Sequence, residues 1–310
     1  MNERPTTSTR PTRDWWFWLA AILLLLQGTL FIVPHVAPGP LGAVCWMLGV
    51  DGACWRIAAL LLLVLAVGWS LFRRPFWNRW RLAGLILIVA LALSPLAFRH
   101  YPSSHTGEVS EVRFRLPLDG PITVGWGGDR LRGNYHVSYP AQRWAYDLLV
   151  AKEGKTYSGD GTKYEDYYCY GMPVLSPADG EVVAVLDGMR DTPLESPGVV
   201  LPPGGNQIVI KVAPRQYLFL CHLQRGTISV LEKDQVTQGQ VLARVGNSGN
   251  TSEPHLHIHL QDTPDMSFGE GIPLYFSNYR VDGKLIERGM PTGGMSLDGP
   301  TGQIVEHAGP

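Results

Sequence analysis

The sequence predicts an antiparallel all-β domain preceded by three transmembrane α-helices. Three observations support this fold class. The first hundred residues hold three uncharged apolar runs of membrane-spanning size. Residues 111–261 instead alternate short apolar runs with turns rich in Gly and Pro. No long amphipathic helix pattern interrupts those short runs, which favours a β domain over a mixed one.

The uncharged runs Trp15–Val33, Ile57–Phe72 and Leu82–Phe98 predict membrane spans over about 15–33, 55–72 and 82–98, the second extended to include Trp55 and Arg56. A helix needs about 20 residues to cross the hydrocarbon layer, and each run approaches or reaches that length. Aromatic belts form at the membrane interface, and tryptophans stand near the ends of the runs: Trp15, Trp16, Trp18, Trp77 and Trp80. A soluble core helix is a poor alternative, because three such runs follow each other closely.

Arginine is distributed unevenly around these spans. Seven arginines precede the first span or occupy the short loop between the second and third: Arg4, Arg10, Arg13, Arg73, Arg74, Arg79 and Arg81. By the positive-inside rule, the N-terminal tail 1–14 and that loop are cytoplasmic, so the β domain lies outside the cytoplasm. If the first span is a signal peptide, the other two still return the chain to the outer side.

Charge and cysteine content narrow the classes of partner. Residues 100–310 carry 17 basic and 24 acidic residues, a net charge of −7, which argues against nucleic-acid binding. The oligomeric state is left open.

Four cysteines are too few for a disulfide scaffold. Cys45 and Cys54 could pair in an oxidising compartment, while Cys169 and Cys221 are as well explained by free thiols as by a bridge.

Residues 100–110 are polar and predict a linker, after which short strands begin. Strands are predicted over Glu111–Leu116, Pro121–Trp126, Trp144–Val150, Met172–Ser176, Glu181–Leu186, Gln207–Val212, Tyr217–Leu223, Gln240–Val245 and His255–Gln261. The Tyr-rich stretch 153–171 is typical of an insertion near a binding site. The domain is expected to cover 111–290 and to be followed by a flexible tail over 291–310.

Three histidines alternate with apolar residues in the last predicted strand, His255–Gln261. Because side chains alternate between the faces of a strand, His255, His257 and His259 share one face. Neighbours on that face lie about 7 Å apart, so two imidazoles can converge on one metal ion. An isolated histidine is usually structural, whereas three in register favour a metal site.

A catalytic zinc site needs three protein ligands and one open position. Asp147 is the one charged residue of the apolar run Trp144–Val150, and a buried carboxylate requires a cation or another partner. A paired structural aspartate is the alternative interpretation. His222 ends an apolar strand and His136 follows a turn-like Gly-Asn-Tyr sequence, so each could be a ligand or a structural residue.

From Tyr170 to Gln261 the chain resembles the lysostaphin/LytM-type zinc metallopeptidases, the M23 family. The matching motifs are Gly171-Met172-Pro173-Val174, Pro177-Ala178-Asp179-Gly180, Gly205-Asn206-Gln207-Ile208-Val209-Ile210, Cys221-His222-Leu223, Val236 with Gly239-Gln240-Val241-Leu242, Gly246-Asn247-Ser248-Gly249-Asn250-Thr251, and Pro254-His255-Leu256-His257. The resemblance implies a lysostaphin/LytM-like fold and a zinc endopeptidase that hydrolyses peptidoglycan peptides with one Zn²⁺ per domain. It also implies a bacterial inner-membrane protein with its catalytic domain in the periplasm or outside the cell.

The resemblance also implies residue roles. His257 would ligate zinc, and His222 and His255 would act as catalytic residues beside the scissile carbonyl. His259 stands where the family often carries Glu or Gln, so we expect it to support the site. Arg143, Asn134 and Tyr168 are further candidates for supporting or substrate-binding residues.

The upstream ligands depart from the family pattern. The family usually supplies two ligands from His-x-x-x-Asp, but Arg143 stands four residues before Asp147 and cannot bind zinc. We therefore predict His136, Asp147 and His257 as the ligand set. By strand alternation Cys221 faces away from His222, which predicts packing rather than ligation. The alternatives are a noncatalytic module that binds cell wall or regulates a partner hydrolase, and a metallopeptidase that acts on a protein or peptide outside the cytoplasm.

Overall fold

The computed structural model describes residues 14–73, 78–194 and 200–309. Most of the predicted cytoplasmic tail, with Arg4, Arg10 and Arg13, lies outside the described residues, as do Arg74 and Trp77. The chain divides into two compact units. The first contains Met1–Ala37 and Val44–Arg99, and the second contains Pro38–Ala43 and His100–Pro310.

The first unit is built from apolar helices. The α-helices among the described residues are α1 (Trp15–Val36), α2 (Pro40–Val50), α3 (Gly52–Leu71) and α4 (Arg79–Ala97). By length and composition, α1, α3 and α4 could each cross a membrane, which confirms the three predicted apolar helices. Helix α2 has 11 residues and was not predicted. Asp51 caps the start of α3 and Asn78 that of α4, each with a side-chain oxygen that accepts backbone N–H groups.

The second unit contains one large antiparallel sheet and two small ones. Its strands are β1 (Ile122–Trp126), β2 (Tyr146–Leu149), β3 (Pro173–Leu175), β4 (Gly180–Leu186), β5 (Asn206–Ala213), β6 (Gln216–Leu223), β7 (Gln235–Val236), β8 (Val241–Arg244), β9 (Leu256–Gln261), β10 (Gly271–Ile272), β11 (Phe276–Val281), β12 (Lys284–Gly289), β13 (Met295–Ser296), β14 (Gly299–Pro300) and β15 (Ile304–His307). The large sheet has the order β12-β11-β15-β1-β2-β9-β6-β5-β4-β7, with β10 paired to β9, while β3–β8 and β13–β14 form separate pairs. The predicted antiparallel β domain is thereby confirmed.

The centre of the large sheet has one apolar and one polar face. On the apolar face, residues of β2, β6 and β9 are fully buried in the main core: Tyr146, Leu148, Leu218, Leu220, Leu256, Ile258 and Leu260. On the other face, the strand register sets His257 of β9 directly opposite Asp147 of β2 and Cys221 of β6. A well-packed core therefore fixes three adjacent strands whose opposite face carries the polar residues.

Three predictions about the ends of the domain were wrong. Residues 291–310 do not form a flexible tail, because β15 pairs with β1 and β11 and buries Val305 completely. Residues 100–110 are not a free linker, since Tyr101 is buried and its carbonyl accepts a hydrogen bond from Arg143 Nε at 3.1 Å. The predicted strand Glu111–Leu116 makes only a single β-bridge, between Phe114 and Phe276.

Candidate metal centre

Three side chains from separate parts of the second unit converge. His136, Asp147 and His257 each offer one ligand atom, and these atoms lie within 4.8 Å of one another. His136 Nε2 is 3.6 Å from Asp147 Oδ2, and His257 Nδ1 is 2.8 Å from Asp147 Oδ1. All three residues are buried. The structure thus brings together the three residues that the sequence predicts as zinc ligands.

The local structure around His136 fixes the orientation of its ring. His136 lies in a 3₁₀ turn, Tyr135–Ser138, whose N-cap is Asn134. The Asn134 amide nitrogen donates to the Gly128 and Ala145 carbonyls at 2.8 and 3.1 Å, so its oxygen faces His136. That oxygen accepts the His136 ring Nδ1–H at 2.8 Å. The hydrogen is therefore on Nδ1, and the lone pair of Nε2 points to Asp147.

The charge state of the cluster matches what a metal ion requires. Burial lowers the pKa of His136 to about 3, so its imidazole is neutral. Burial opposes ionisation of Asp147, yet the adjacent His136, His255 and His257 hold the pKa of its carboxyl below the usual range. Metal ligands must be unprotonated. Imidazole nitrogen and carboxylate oxygen are also common zinc ligands, so this donor set fits zinc.

Two more histidines face the same cluster. The rings of His222 and His255 are 4.7 Å apart, and His255 Nε2 is 3.6 Å from Asp147 Oδ1. His222 Nδ1 donates to the Ser248 carbonyl at 2.7 Å, and His255 Nδ1 donates to the Glu253 carbonyl at 2.8 Å. Burial lowers the pKa of His222 well below its ordinary value. Both rings therefore hold a fixed orientation, and His222 is a neutral imidazole able to accept a proton through Nε2.

His222 reaches the cluster because the strand distorts at its position. Its φ is +61°, a left-handed conformation that is uncommon for a non-Gly residue. Strict alternation would direct His222 to the apolar face with Leu220, whereas its ring lies 5.8 Å from that of His257. The Ser248 carbonyl that holds the ring approaches closely at Gly205, where a Cβ atom would lie 2.3 Å from it. Glycine at 205 therefore permits the contact that orients His222.

The same distortion corrects the reasoning about Cys221. The premise that Cys221 and His222 face opposite sides was wrong, because the register sets Cys221 opposite His257. The expected packing is found, since Cys221 is fully buried beside Val209 and Phe219. All four cysteines lie in the described residues, and each is a free thiol in the structure.

The remaining candidates lie around the cluster rather than in it. The Arg143 guanidinium binds Asp129 at 2.7 Å and lies over the Trp144 ring, which gives it a structural role. Tyr168 belongs to the predicted insertion, where the Lys152 ammonium lies 4.4 Å from its ring centroid. Asn134 contacts His136 directly, as described above.

The predicted insertion, residues 153–171, is hydrogen-bonded to the segment that precedes β9. Thr156 Oγ1 donates to the Glu253 carboxylate at 2.6 Å, and the Cys169 thiol donates to the Pro254 carbonyl at 2.9 Å. Glu253 also supplies the carbonyl that orients His255. The 153–171 segment thus stabilises the turn from which His255 extends.

Gln261 was missed by the reasoning from sequence. It lies on the histidine face of β9, and its amide oxygen is 3.0 Å from His259 Nε2. The alternation that identified His255, His257 and His259 continues to this position, so the signal was present. Tyr135, whose ring centroid lies 4.0 Å from that of His136, was also overlooked.

The second unit is thus an antiparallel β domain with a buried His/Asp cluster that could hold a metal ion, in a chain that also carries helices long and apolar enough to cross a membrane. Residues 161–267 match the family model of Peptidase family M23, so this part of the chain is similar to M23 peptidases. The matched region includes His222, His255 and His257. His136 and Asp147 lie upstream of it.

Individual relatives are similar over part of the chain. "Cell division protein DipM" of Caulobacter vibrioides is 32% identical over 94 residues, which is 30% of this chain and 13% of the relative. The chain thus spans only a small part of that curated relative. A zinc-containing peptidase from Vibrio cholerae is 24% identical, covering 48% of this chain and 36% of that chain with a TM-score of 0.31. The lysostaphin catalytic domain of Staphylococcus simulans is 20% identical, covering 48% and 86% with a TM-score of 0.30.

Proposed function

We propose that this chain is a zinc-dependent endopeptidase that hydrolyses amide bonds in peptidoglycan peptides. The convergence of His136, Asp147 and His257 within 4.8 Å carries the proposal. Two neutral imidazoles and one carboxylate would leave the zinc site with a net positive charge. Bound zinc would polarise the scissile carbonyl and lower the pKa of coordinated water to about 7. The cell-division role in the name of the Caulobacter relative is compatible with a cell-wall substrate.

His222 and His255 supply the proton transfers of this reaction. Each keeps its Nδ1 hydrogen on a backbone carbonyl, so each presents Nε2 to the reacting atoms. His222 accepts the proton of the attacking water through Nε2 and then donates it to the leaving amine nitrogen. His255 donates from Nε2 to the oxyanion that forms on the carbonyl oxygen, which requires the imidazolium form because its Nδ1 hydrogen is held by the Glu253 carbonyl. Asp147, 3.6 Å from His255 Nε2, stabilises the positive charge of that form.

The proposed location is the bacterial inner membrane, with the peptidase domain outside the cytoplasm and the lipid bilayer around the helices. The described residues contain three candidate spans, and an odd number of crossings would place the residues before α1 and the peptidase domain on opposite sides of the membrane. The arginine-rich loop between α3 and α4 favours the cytoplasm for the loop and for the N-terminus. This orientation directs the site to the compartment that contains peptidoglycan.

Purified full-length chain in detergent tests the activity with isolated sacculi. We expect release of soluble fragments that stops with a chelator and returns when zinc is added. Zinc-free protein that still binds sacculi would instead support a noncatalytic cell-wall module. If the protein cleaves generic peptides but does not cleave sacculi, the result would support a protein or peptide substrate.

His136→Ala tests the unusual ligand. We expect the variant to lose most of its zinc, because one of three protein ligands is removed. His105→Ala is the matched control, since it removes a largely buried histidine of the same unit outside the cluster. Near-stoichiometric zinc in His136→Ala would contradict the assignment.

A further inference from the structure

A chain of polar side chains leads from His257 away from the cluster. Strand β9 places His257, His259 and Gln261 at alternate positions of one face, and all three are buried. His257 Nε2 is 3.0 Å from His259 Nδ1, and His259 Nε2 is 3.0 Å from Gln261 Oε1. The ring of His259 stacks on Phe219 with centroids 4.6 Å apart. The three side chains therefore form a continuous hydrogen-bonded relay.

Gln261, at the end of the relay away from the cluster, determines which atom is the donor in each of its hydrogen bonds. Gln261 Nε2 lies 2.8 Å from the carbonyl oxygens of Thr263 and Asp265. Carbonyl oxygens only accept hydrogen bonds, so this atom must be the amide nitrogen. The amide oxygen of Gln261 therefore faces His259 and accepts a hydrogen from its Nε2.

The donor and acceptor of the next hydrogen bond, between His259 and His257, follow from this assignment. Among the contacts of the described residues, His259 touches no carboxylate, and a fully buried imidazolium without a counter-charge is costly. His259 is thus neutral, with its lone pair on Nδ1, and that atom accepts a hydrogen from His257 Nε2. The lone pair of His257 consequently lies on Nδ1, so its 2.8 Å separation from Asp147 Oδ1 is that expected of two ligand atoms that share a cation and not that of a hydrogen bond.

We propose that His259 and Gln261 are positioning residues that hold His257 in the Nε2–H tautomer and present its Nδ1 lone pair to the metal. The inference rests on the proposed zinc function. A metal-bound histidine needs a partner for its other ring nitrogen, and that partner fixes the tautomer and raises the basicity of the ligand. Asn134 does the same for His136 through the opposite ring nitrogen. The two imidazoles thus present different nitrogens to Asp147, each fixed by an amide oxygen at the end of its hydrogen bonds.

Two substitutions of His259 separate positioning from packing. His259→Asn keeps an acceptor near the former Nδ1, but it loses the ring and leaves a cavity beside Phe219. His259→Phe keeps a ring on Phe219, but it offers no acceptor to His257. If His259 only packs against Phe219, zinc binding should be preserved better in His259→Phe than in His259→Asn. If His259 positions His257, zinc binding should be preserved better in His259→Asn.

Zinc affinity of the full chain in detergent, measured by competition with a chromophoric chelator, gives the first readout. We expect His259→Phe to bind zinc about 10–100-fold more weakly than wild type. The zinc affinity of His259→Asn should lie within a few-fold of that of wild type. Gln261→Met removes the terminal acceptor and should weaken zinc binding in the same direction. It serves as the test if His259→Phe does not fold. Thermal melts of the metal-free variants report packing separately.

Ring-nitrogen NMR of protein labelled with ¹⁵N-histidine gives the second readout. We expect His257 to carry hydrogen on Nε2 in wild type and in His259→Asn, and to lose that preference in His259→Phe. Zinc binding by His259→Phe that equals or exceeds that of His259→Asn would overturn the relay. If wild type itself binds no zinc, the proposed function fails. The ring-nitrogen spectrum then decides the relay alone, and His257 without hydrogen on Nε2 overturns it.

Discussion

Asp147→Asn gives a quantitative test of the metal centre through thermal stability. Zinc at 100 times its dissociation constant should raise the free energy of unfolding by about 2.7 kcal/mol if it binds only the folded state. The unit that carries the site has about 200 residues. At that size, 1 kcal/mol shifts the melting temperature by about 2–4 °C. Wild type should therefore gain about 5–10 °C when zinc is added.

The variant removes the negative charge at the centre of the cluster and changes little else. Asp147 lies 2.8 Å from His257 and 3.6 Å from both His136 and His255, so the substitution changes its contact with each of these three histidines. If zinc affinity falls about 100-fold, the same zinc concentration gives about 0.4 kcal/mol, which is a shift of about 1 °C.

The assay is near-UV circular dichroism of the full chain in detergent, with free zinc set by a metal buffer. Glu270→Gln is the matched control, because it neutralises another buried carboxylate that bonds Ser104 outside the cluster. We expect that control to melt earlier than wild type and to keep the full zinc shift. A full wild-type shift in Asp147→Asn would refute the assignment of Asp147 as a ligand.

Three further outcomes are expected. His222→Ala and His255→Ala should retain zinc by elemental analysis but hydrolyse sacculi about 10²–10⁴-fold more slowly, and zinc loss would contradict their catalytic roles. The Asp262 carboxylate, 3.6 Å from Nε2, and the Glu108 carboxylate raise the pKa of His105, so the stabilising contribution of His105 is complete below pH about 6.5 and is lost as pH rises through the folded-state pKa. Melts of wild type and His105→Gln should therefore converge at high pH, and a constant difference would argue against this. Burial raises the pKa of Cys169 to about 12, so mass spectrometry should find it unalkylated until the protein unfolds.

The histidine face of β9 could be predicted because strand geometry leaves little freedom. Leu256, Ile258 and Leu260 demand burial, and the period of two then sends the histidines to the opposite face. The cross-strand partner Asp147 was identified from chemistry alone, as a carboxylate that an apolar strand would not otherwise tolerate.

The orientation of His222 could not be predicted from its strand pattern. Its left-handed conformation depends on the Ser248 carbonyl, which a distant loop supplies through the close approach at Gly205. Strand β15 escaped prediction for a similar reason. Its pattern is only four residues long, and its partner strands, β1 and β11, are set by tertiary contacts.

The long loop between His136 and Asp147 does not leave the relative positions of these two side chains undefined, because hydrogen bonds connect the two ends of the loop. Asp129 accepts hydrogen bonds from the Trp144 indole at 2.8 Å and from Arg143 at 2.7 Å. Asn134 donates to the Ala145 carbonyl at 3.1 Å while its oxygen holds the ring of His136.

The residues around His136 are thus joined to the chain immediately before Asp147, so the loop between them does not set the distance between these two residues. Arg143 takes part in this connection through its ion pair with Asp129. In the proposed site, Arg143 therefore helps to hold His136 beside Asp147, although a guanidinium cannot bind zinc itself.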